Sequence, residues 1–223
     1  LFRSVNRYLA NLPGLRKLCL CRYIVSRPLG LRKAGDYATT VLVPARNEAG
    51  NVEAAVRRIP RFGGHQEIIF VEGGSTDDTR EEIHRVIGAY PQKDIKLVVQ
   101  TGKGKGDAVR AGFARASGDV LMILDGDLTM PPEDLPKFYR AIAEDHGEFI
   151  NGCRLVYPME KEAMRFFNLL GNKFFSVMFT WILSQRLKDT LCGTKVLYRS
   201  DYDKMQADRG FFGDFDPFGD FDL

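Results

Sequence analysis

The most constraining feature of this 223-residue sequence is a regular alternation of short apolar runs with segments of helical periodicity. Apolar runs rich in β-branched residues indicate strands, and apolar residues spaced three and four apart indicate amphipathic helices. Such alternation predicts an α/β fold, a mostly parallel sheet with helices on both faces. The predicted strands are Thr39–Ala45, Glu67–Val71, Lys96–Thr101, Val120–Leu124 and Glu148–Gly152. The predicted helices are Glu48–Ile59, Asp77–Tyr90, Lys105–Ser117 and Pro131–Asp145.

A polar or glycine-rich segment follows each of the first four predicted strands. In open sheets of this kind, ligands bind beyond the carboxyl ends of the strands. These segments are therefore expected to meet at one edge of the sheet and form one site. They are Pro44–Glu48, Glu72–Thr79, Thr101–Asp107 and Asp125–Asp127.

The two acids that end the fourth strand indicate a cation. Asp125 and Asp127 stand two residues apart, which directs both side chains to one side of an extended segment, where they repel unless a cation lies between them. Mg²⁺ or Mn²⁺ takes one or two carboxylates and completes its shell with phosphate oxygens and water. Gly126 is expected to let a bulky ligand approach the backbone. The alternative is a turn with Asp127 solvated, but the series of four loops favours a metal-bridged diphosphate.

Two further loops carry signals for an anionic ligand. Glycines 102, 104 and 106 alternate with lysines before a helix, so backbone N–H groups, charge and a helix N-terminus come together as in a phosphate cradle. The spacing fits neither a P-loop nor a dinucleotide fingerprint, and a flexible turn is the alternative. In the segment after the second strand, Ser75 or Thr76 is expected to cap the next helix, which leaves Glu72 free to contact a ligand.

Two segments bear on membrane contact. Residues 1–35 carry eight Lys or Arg residues and no acidic residue, which indicates either a solvated basic linker or attraction to an anionic membrane surface. The segment Met159–Gln185 is rich in Phe, Leu and Met, but its longest uncharged run has twelve residues, fewer than the roughly 20 of a membrane span. It is interpreted as core packing or as an interfacial helix with Arg165 and Lys173 at the headgroups.

The four cysteines form no CxxC pair, so neither a zinc site nor a disulfide framework is predicted, as suits a reducing cytosol. The first residue is not Met, and the last stands inside an apolar pattern. The sequence is therefore expected to be part of a longer chain, cut at both ends.

Five stretches together resemble the family 2 glycosyltransferases, above all dolichyl-phosphate mannose synthases and dolichyl-phosphate glucosyltransferases. They are VLVPARNEAGNV, IIFVEGGSTDDT, GKGKGDAVRAGF, GDVLMILDGDLTMPPEDL and DTLCGTKVLYRSDY, in the family's order. The resemblance implies a Rossmann-like GT-A fold. It implies a glycosyltransferase domain over residues 39–223, truncated at its C-terminus, with residues 1–38 as a basic linker or the tail of a preceding domain.

The resemblance also implies roles for individual residues. It places Asp125 at the ribose–diphosphate end of the donor and Asp127 on the metal, Mg²⁺ or Mn²⁺. The expected catalytic residues are Asp125, Asp127 and Asp189, the last as a base if the acceptor is a hydroxyl. The residues expected to bind the donor are Pro44, Arg46, Glu48, Glu72, Lys105, Asp125, Gly126, Arg154 and Lys195.

The chain departs from the family pattern at two positions. The family usually has Asp-Asp-Gly-Ser after the second strand, whereas this chain has Glu72, Gly73, Gly74 and Ser75. The second Asp of that motif commonly contacts the base, so the identity of the base is left open. Arg46 stands where the family usually has Tyr.

The expected function is metal-dependent, inverting transfer of a hexose from a UDP- or GDP-sugar to a polyprenyl or dolichyl phosphate. The protein is expected at the cytoplasmic face of a membrane, in peripheral contact with it and without a nucleic-acid partner. A lipid phosphate is anionic near neutral pH and needs no general base, whereas a hydroxyl acceptor needs one. The candidate bases are Asp189, Asp214, Asp216 and Asp220. Two other classes stay open: a nucleotidyltransferase, which releases pyrophosphate, and a non-catalytic sugar-nucleotide binding module.

Overall fold

The computed structural model describes residues 35–153, 166–183, 189 and 192–207. These residues belong to two compact units. One contains residues 35–153 and 192–207, and the other contains residues 166–183 and 189. The basic segment at the start of the chain lies almost entirely outside the described residues, so its interpretation as a linker or tail stays a prediction.

The central sheet belongs to the first unit. Within the described residues it has six strands in the order β3-β2-β1-β4-β6-β5. The strand β1 pairs in parallel with β2 and with β4, and β2 pairs in parallel with β3, whereas β6 runs antiparallel to both β4 and β5. The predicted α/β fold with a mostly parallel sheet is therefore confirmed. The strands are β1 (Thr39–Ala45), β2 (Gln66–Glu72), β3 (Asp94–Val99), β4 (Val120–Ile123), β5 (Phe149–Asn151) and β6 (Lys195–Tyr198).

The helices connect the strands much as predicted. The described helices are α1 (Ala49–Arg58), α2 (Thr79–Ala89), α3 (Lys105–Phe113), α4 (Leu135–Ala143, after a 3₁₀ turn at Pro132–Asp134), α5 (Phe166–Leu183) and α6 (Arg199–Ala207). The third strand begins and ends two residues earlier than predicted, because the chain beyond Gln100 turns into the glycine-rich loop. The predicted elements lacked β6, which lies within the motif DTLCGTKVLYRSDY, and α6, which begins within it.

A glycine brings α3 close to the centre of the sheet. A β-carbon added at Gly112 would overlap the Leu42 side chain and would lie 2.7 Å from a methyl group of Val71. Leu42 and Val71 are fully buried, and they share a core cluster with Val109 and Phe113 of the same helix. Because Gly112 lacks a side chain, α3 packs tightly on β1 and β2, and its first turn is held beside the ends of these strands.

A buried carboxylate, Glu67, stabilises the opposite end of the sheet, where the parallel strands begin. The Glu67 side chain is fully buried and accepts hydrogen bonds from the Thr40 hydroxyl, the Lys96 ammonium and the Ser117 N–H, the last at 2.6 Å. Burial raises the pKa of Glu67, but the Lys96 ammonium and the N–H and hydroxyl donors outweigh it and lower the pKa to about 2. Glu67 thus ties β1, β2, β3 and the chain before β4 together.

The depressed pKa of Glu67 predicts a pH-dependent contribution to stability. Because the pKa falls from 4.5 to about 2 on folding, the contribution is complete above about pH 5 and is lost as the pH falls from 4.5 towards 2. We expect Glu67→Gln to lower the free energy of unfolding by about 3 kcal/mol at pH 7. Urea denaturation at pH 7 and pH 3 measures both effects, and the variant should be less sensitive to acid than the wild type. Glu133→Gln, which removes an exposed ion pair with Arg58, is the control with an expected effect below about 1 kcal/mol.

The second unit contributes α5, within the apolar segment interpreted above as core or interfacial helix. Three apolar side chains of α5 are exposed, Phe174 by 64%, Phe175 by 41% and Val177 by 63%. Among the described residues, no helix combines the length and the apolar character needed to cross a membrane.

Candidate active site

The four loops predicted to converge do lie around one cavity. It has a volume of about 720 Å³ and opens at the carboxyl ends of β1, β2, β3 and β4. Its walls therefore carry charged and polar side chains together with exposed backbone from glycines. The lining residues are Pro44, Ala45, Arg46, Glu48, Val71, Gly73, Gly74, Gln100, Gly102, Lys103, Gly104, Lys105, Ala108, Asp125, Gly126 and Asp127.

The loop after β1 is held in place by the loop after β2. The Asn47 side-chain oxygen accepts the N–H of Thr76 at 2.8 Å, and the Asn47 N–H donates to Ser75 Oγ at 3.1 Å. Asn47 has a φ of 58°, in the left-handed region that Asn tolerates better than most residues. The N–H of Glu48 donates to Thr79 Oγ1 at 2.9 Å. These bonds fix the loop that carries Arg46 and Glu48 into the cavity wall.

The predicted cap of α2 is wrong. The residue that precedes the helix is Asp78, whose side chain makes no capping hydrogen bond. Asp77 instead accepts the Thr79 N–H at 3.1 Å. Ser75 and Thr76 are therefore used to bind the neighbouring loop and not to cap their own helix.

Glu72, predicted to contact the donor, is buried and bonded to its own loop and helix. Its carboxylate is only 2% exposed, accepts the Ser75 N–H at 2.5 Å and pairs with the Arg80 guanidinium at 3.0 Å. Burial raises the pKa of Glu72, but the Ser75 and Arg80 donors outweigh it, so the pKa lies below its ordinary value. Glu72 is not among the described residues that line the cavity. Its bonds to Ser75 and Arg80 instead stabilise the β2–α2 loop.

Asp125 forms an ion pair with Lys105 across the cavity floor. Asp125 Oδ1 lies 2.7 Å from Lys105 Nζ, and the two side chains are 16% and 30% exposed. Gly193, which stands just before β6, packs against this pair, because a β-carbon added there would overlap the Asp125 carboxylate and the Lys105 ammonium. The start of β6 therefore contributes to the site through a glycine that the sequence did not indicate.

Asp127 stands at the exposed rim of the cavity with its carboxylate oriented. Its Oδ1 accepts both the N–H and the hydroxyl of Thr129, each at 3.0 Å. Its Oδ2 has no hydrogen-bond partner among the described residues and is free to bind a cation.

The donor set suits a metal ion held only partly by protein. No group of three or more His, Cys, Asp or Glu residues in the described part of the chain is arranged to hold a metal. Mg²⁺ and Mn²⁺ need no such cage when phosphate oxygens and water complete their shell. Asp127 is the better placed carboxylate, since Asp125 is already neutralised by Lys105. The residues present therefore fit a hard divalent ion that arrives with a phosphate ligand.

The glycine–lysine loop presents positive charge to the cavity. Lys103 is exposed and has no ion-pair partner among the described residues. Gly104 has a φ of 87°, which favours glycine, and directly precedes the first residue of α3. The positive end of the α3 dipole therefore faces the same space as Lys103 and Lys105, an arrangement that suits a diphosphate.

Gly126 lines the cavity, but its lack of a side chain has a second reason. A β-carbon there would lie 2.6 Å from the carbonyl oxygen of Pro44 and 3.2 Å from Glu48 Cγ. The glycine thus lets the turn between the two acids pack against the end of β1. Glu48 itself is oriented by a 2.6 Å hydrogen bond from the Asn51 amide.

Of the remaining predicted site residues, the structure describes Lys195 and Asp189. Lys195 is buried at the first position of β6, where its ammonium donates to the Cys192 carbonyl at 3.2 Å. Asp189 is buried and belongs to the second unit. Arg154 lies outside the described residues, as do the other candidate bases, Asp214, Asp216 and Asp220. Their roles stay predictions.

Comparison with known proteins decides the family. The family model described as glycosyl transferase family 2 matches residues 40–205. The chain belongs to glycosyl transferase family 2. This confirms the predicted family, and the matched residues include β1 from Thr40 onward and all of β2–β6.

Two curated relatives are similar over part of their length. This family 2 chain is 35% identical over 136 residues to a dolichol-phosphate mannosyltransferase of Pyrococcus furiosus, covering 60% of this chain and 38% of the relative. It is 31% identical over 177 residues to the glycosyltransferase AglJ of Haloferax volcanii, covering 79% of this chain and 55% of the relative. The chain thus spans about half, or less, of the length of these relatives.

A solved structure shows the same fold. Glucosyl-3-phosphoglycerate synthase of Mycobacterium tuberculosis, determined with Mn²⁺, uridine diphosphate and glucosyl-3-phosphoglycerate, aligns with a TM-score of 0.57 at 18% identity. The alignment covers 81% of this family 2 chain and 64% of the synthase chain. This likeness confirms the predicted GT-A fold.

Proposed function

We propose that this family 2 chain catalyses metal-dependent, inverting transfer of a hexose from a nucleotide sugar to a polyprenyl phosphate. The observation that carries the proposal is a cavity at four strand ends, lined both by the oriented Asp127 carboxylate and by the lysine-bearing loop before α3. An oriented acid and a cationic loop in the wall of one cavity suit a ligand that is anionic and brings a metal with it.

The donor's diphosphate is proposed to lie between Asp127 and the first turn of α3. Lys103 has no ion-pair partner among the described residues, and the N-terminus of α3 adds backbone donors. Lys105 is fixed by Asp125, so its ammonium needs no reorganisation when charge develops on the leaving diphosphate. Asp127 would hold a Mg²⁺ or Mn²⁺ ion, which would supply Lewis-acid stabilisation of that leaving group.

The choice of acceptor follows from the distribution of acids. Within the described residues that line the cavity, the acids are Glu48, Asp125 and Asp127. Glu48 is bonded to Asn51 and Asp125 to Lys105, while Asp127 is assigned to the metal. This favours an acceptor that is already anionic, such as a lipid phosphate, because it needs no base. The name of the Pyrococcus furiosus relative points the same way.

Contact with a membrane is part of the proposal. The exposed Phe174, Phe175 and Val177 of α5 are side chains that insert readily at a lipid interface. A polyprenyl phosphate is embedded in a membrane, so the acceptor must be met there. We place the protein at the cytoplasmic face, in peripheral contact with the bilayer.

A panel of donors tests the proposal. Purified protein with Mn²⁺ is incubated with UDP- and GDP-hexoses, with and without a short polyprenyl phosphate, and the released nucleotide and the glycolipid are measured. We expect nucleoside diphosphate and an inverted glycosyl phosphate, both dependent on the lipid. Release of pyrophosphate from a nucleoside triphosphate would indicate a nucleotidyltransferase, and donor binding without turnover would indicate a non-catalytic module. Transfer to a hydroxyl acceptor alone would contradict the lipid-phosphate assignment.

A further inference from the structure

The cavity extends well beyond its acidic rim. In the sheet order β3-β2-β1-β4, the ends of β4 and β3 are three strand spacings apart, about 14 Å. An elongated nucleoside diphosphate with its diphosphate near Asp127 would therefore place its base at the ends of β2 and β3. This placement of the base rests on the proposed function, because it assumes a nucleoside diphosphate whose diphosphate lies near Asp127.

At that end of the cavity, Gly73 packs close to Gln100 and Arg46. A β-carbon added at Gly73 would lie 3.0 Å from Gln100 Oε1 and 3.6 Å from the β-carbon of Arg46. All three residues line the cavity. No side chain projects from position 73, so none covers Gln100 Oε1 from that side.

The orientation of the Gln100 amide is fixed by its surroundings. Its Nε2 donates to the Gly104 carbonyl and to Asp107 Oδ2, both at 2.8 Å. Both partners are acceptors, so the NH₂ group and not the oxygen must face them. The carbonyl oxygen Oε1 is consequently turned towards Gly73, and it has no hydrogen-bond partner among the described residues.

We propose that Gln100 Oε1 selects the base of the donor by accepting the ring N3–H of a uracil-type base. Uracil presents one N–H between two carbonyl groups, which matches a single fixed acceptor. Cytosine has an acceptor at N3 and would repel Oε1. Guanine presents two adjacent donors, which suit the two oxygens of a carboxylate, and here the carboxylate next to Gln100, that of Asp107, is already bonded to the Gln100 amide.

Arg46 completes the subsite. Its side chain is exposed at the cavity wall, and among the described residues it has neither an ion-pair nor a hydrogen-bond partner. A planar guanidinium stacks well on a flat base. Stacking tolerates any base, so the discrimination comes from Gln100.

Calorimetric titration of the protein with UDP, CDP, GDP and N3-methyl-UDP, each with Mn²⁺, tests the inference. We expect UDP to bind roughly tenfold more tightly than each of the other three, as one hydrogen bond in a shielded site allows. Gln100→Met keeps the length of the side chain but removes the acceptor. It should weaken UDP roughly tenfold and abolish the preference for UDP over its N3-methyl form. Gln92→Met, an exposed glutamine outside this cavity, should leave UDP binding unchanged.

The outcomes separate this inference from the proposed function. If GDP or CDP binds as tightly as UDP, the base assignment is overturned while the nucleotide site stands. The same holds if Gln100→Met still distinguishes UDP from N3-methyl-UDP. If none of the nucleotides binds, the proposed function fails and the base subsite fails with it. Should Gln100→Met not fold, equal binding of UDP and N3-methyl-UDP by the wild type alone would overturn the inference.

Discussion

Replacing Asp127 by Asn is expected to lower the rate of glycosyl transfer by about a thousandfold or more. The carboxylate stands at the rim of the cavity, with Oδ1 held by Thr129 and Oδ2 available to a cation. An amide of the same shape keeps a partner for Thr129 but lacks the negative charge that holds a divalent ion. Turnover at saturating donor and a titration with Mn²⁺ measure the loss, and the fold should persist by circular dichroism.

Two companion variants sharpen this result. Asp119→Asn changes an exposed acid at the other end of β4, where it accepts the Ala38 N–H, and transfer should be unaffected. Thr129→Val removes one donor that orients Asp127, and we expect a roughly tenfold weaker response to Mn²⁺. Transfer by Asp127→Asn at the wild-type rate would show that the metal is bound elsewhere or not used.

Replacing Lys105 by Met is expected to reduce transfer about a hundredfold and also to destabilise the fold. The variant removes a cation placed for the leaving diphosphate, and it leaves the Asp125 carboxylate, only 16% exposed, without this ion-pair partner. An uncompensated, largely buried charge should lower the free energy of unfolding by about 2 kcal/mol. Steady-state kinetics and urea denaturation measure the two losses separately.

A double variant distinguishes these two roles of Lys105. In Lys105→Met with Asp125→Asn, the uncompensated charge is gone, so most of the stability should return while transfer stays low. Lys204→Met, which removes an exposed lysine paired with Asp201 on α6, is the matched control and should change neither quantity appreciably. Recovery of transfer together with stability would mean that Lys105 acts only through Asp125.

The strands and the position of the site were predictable because they depend on local patterns. The run Thr39–Ala45 was predicted residue for residue, since β1 lies in the middle of the sheet and almost every position along it is buried. The loops after four parallel strands must reach the same edge, so Arg46, Lys105 and Asp127 were expected to meet without knowledge of their contacts. Helix α5 also falls within the apolar segment that the sequence singled out.

The residues that sequence reasoning missed depend on contacts between distant parts of the chain. Gln100 looked like the end of a strand, and only the packing of Gly73 opposite its amide gives it a role. Gly193 lies 68 positions from Asp125, and no local signal connects them. Glu72 was expected at the ligand because it stands at the family's acidic motif after the second strand, but its carboxylate pairs with Arg80, the second residue of α2. A φ of 58° at Asn47 follows from its bonds to another loop.

A crystal structure of the protein with Mn²⁺ and an intact nucleotide-sugar donor is the most direct test of the metal and diphosphate site. We expect an anomalous peak about 2.1 Å from Asp127 Oδ2, with diphosphate oxygens completing the coordination and facing Lys103 and Lys105. A peak away from Asp127, or a donor bound outside the cavity at the ends of β1–β4, would contradict this site and the function proposed from it.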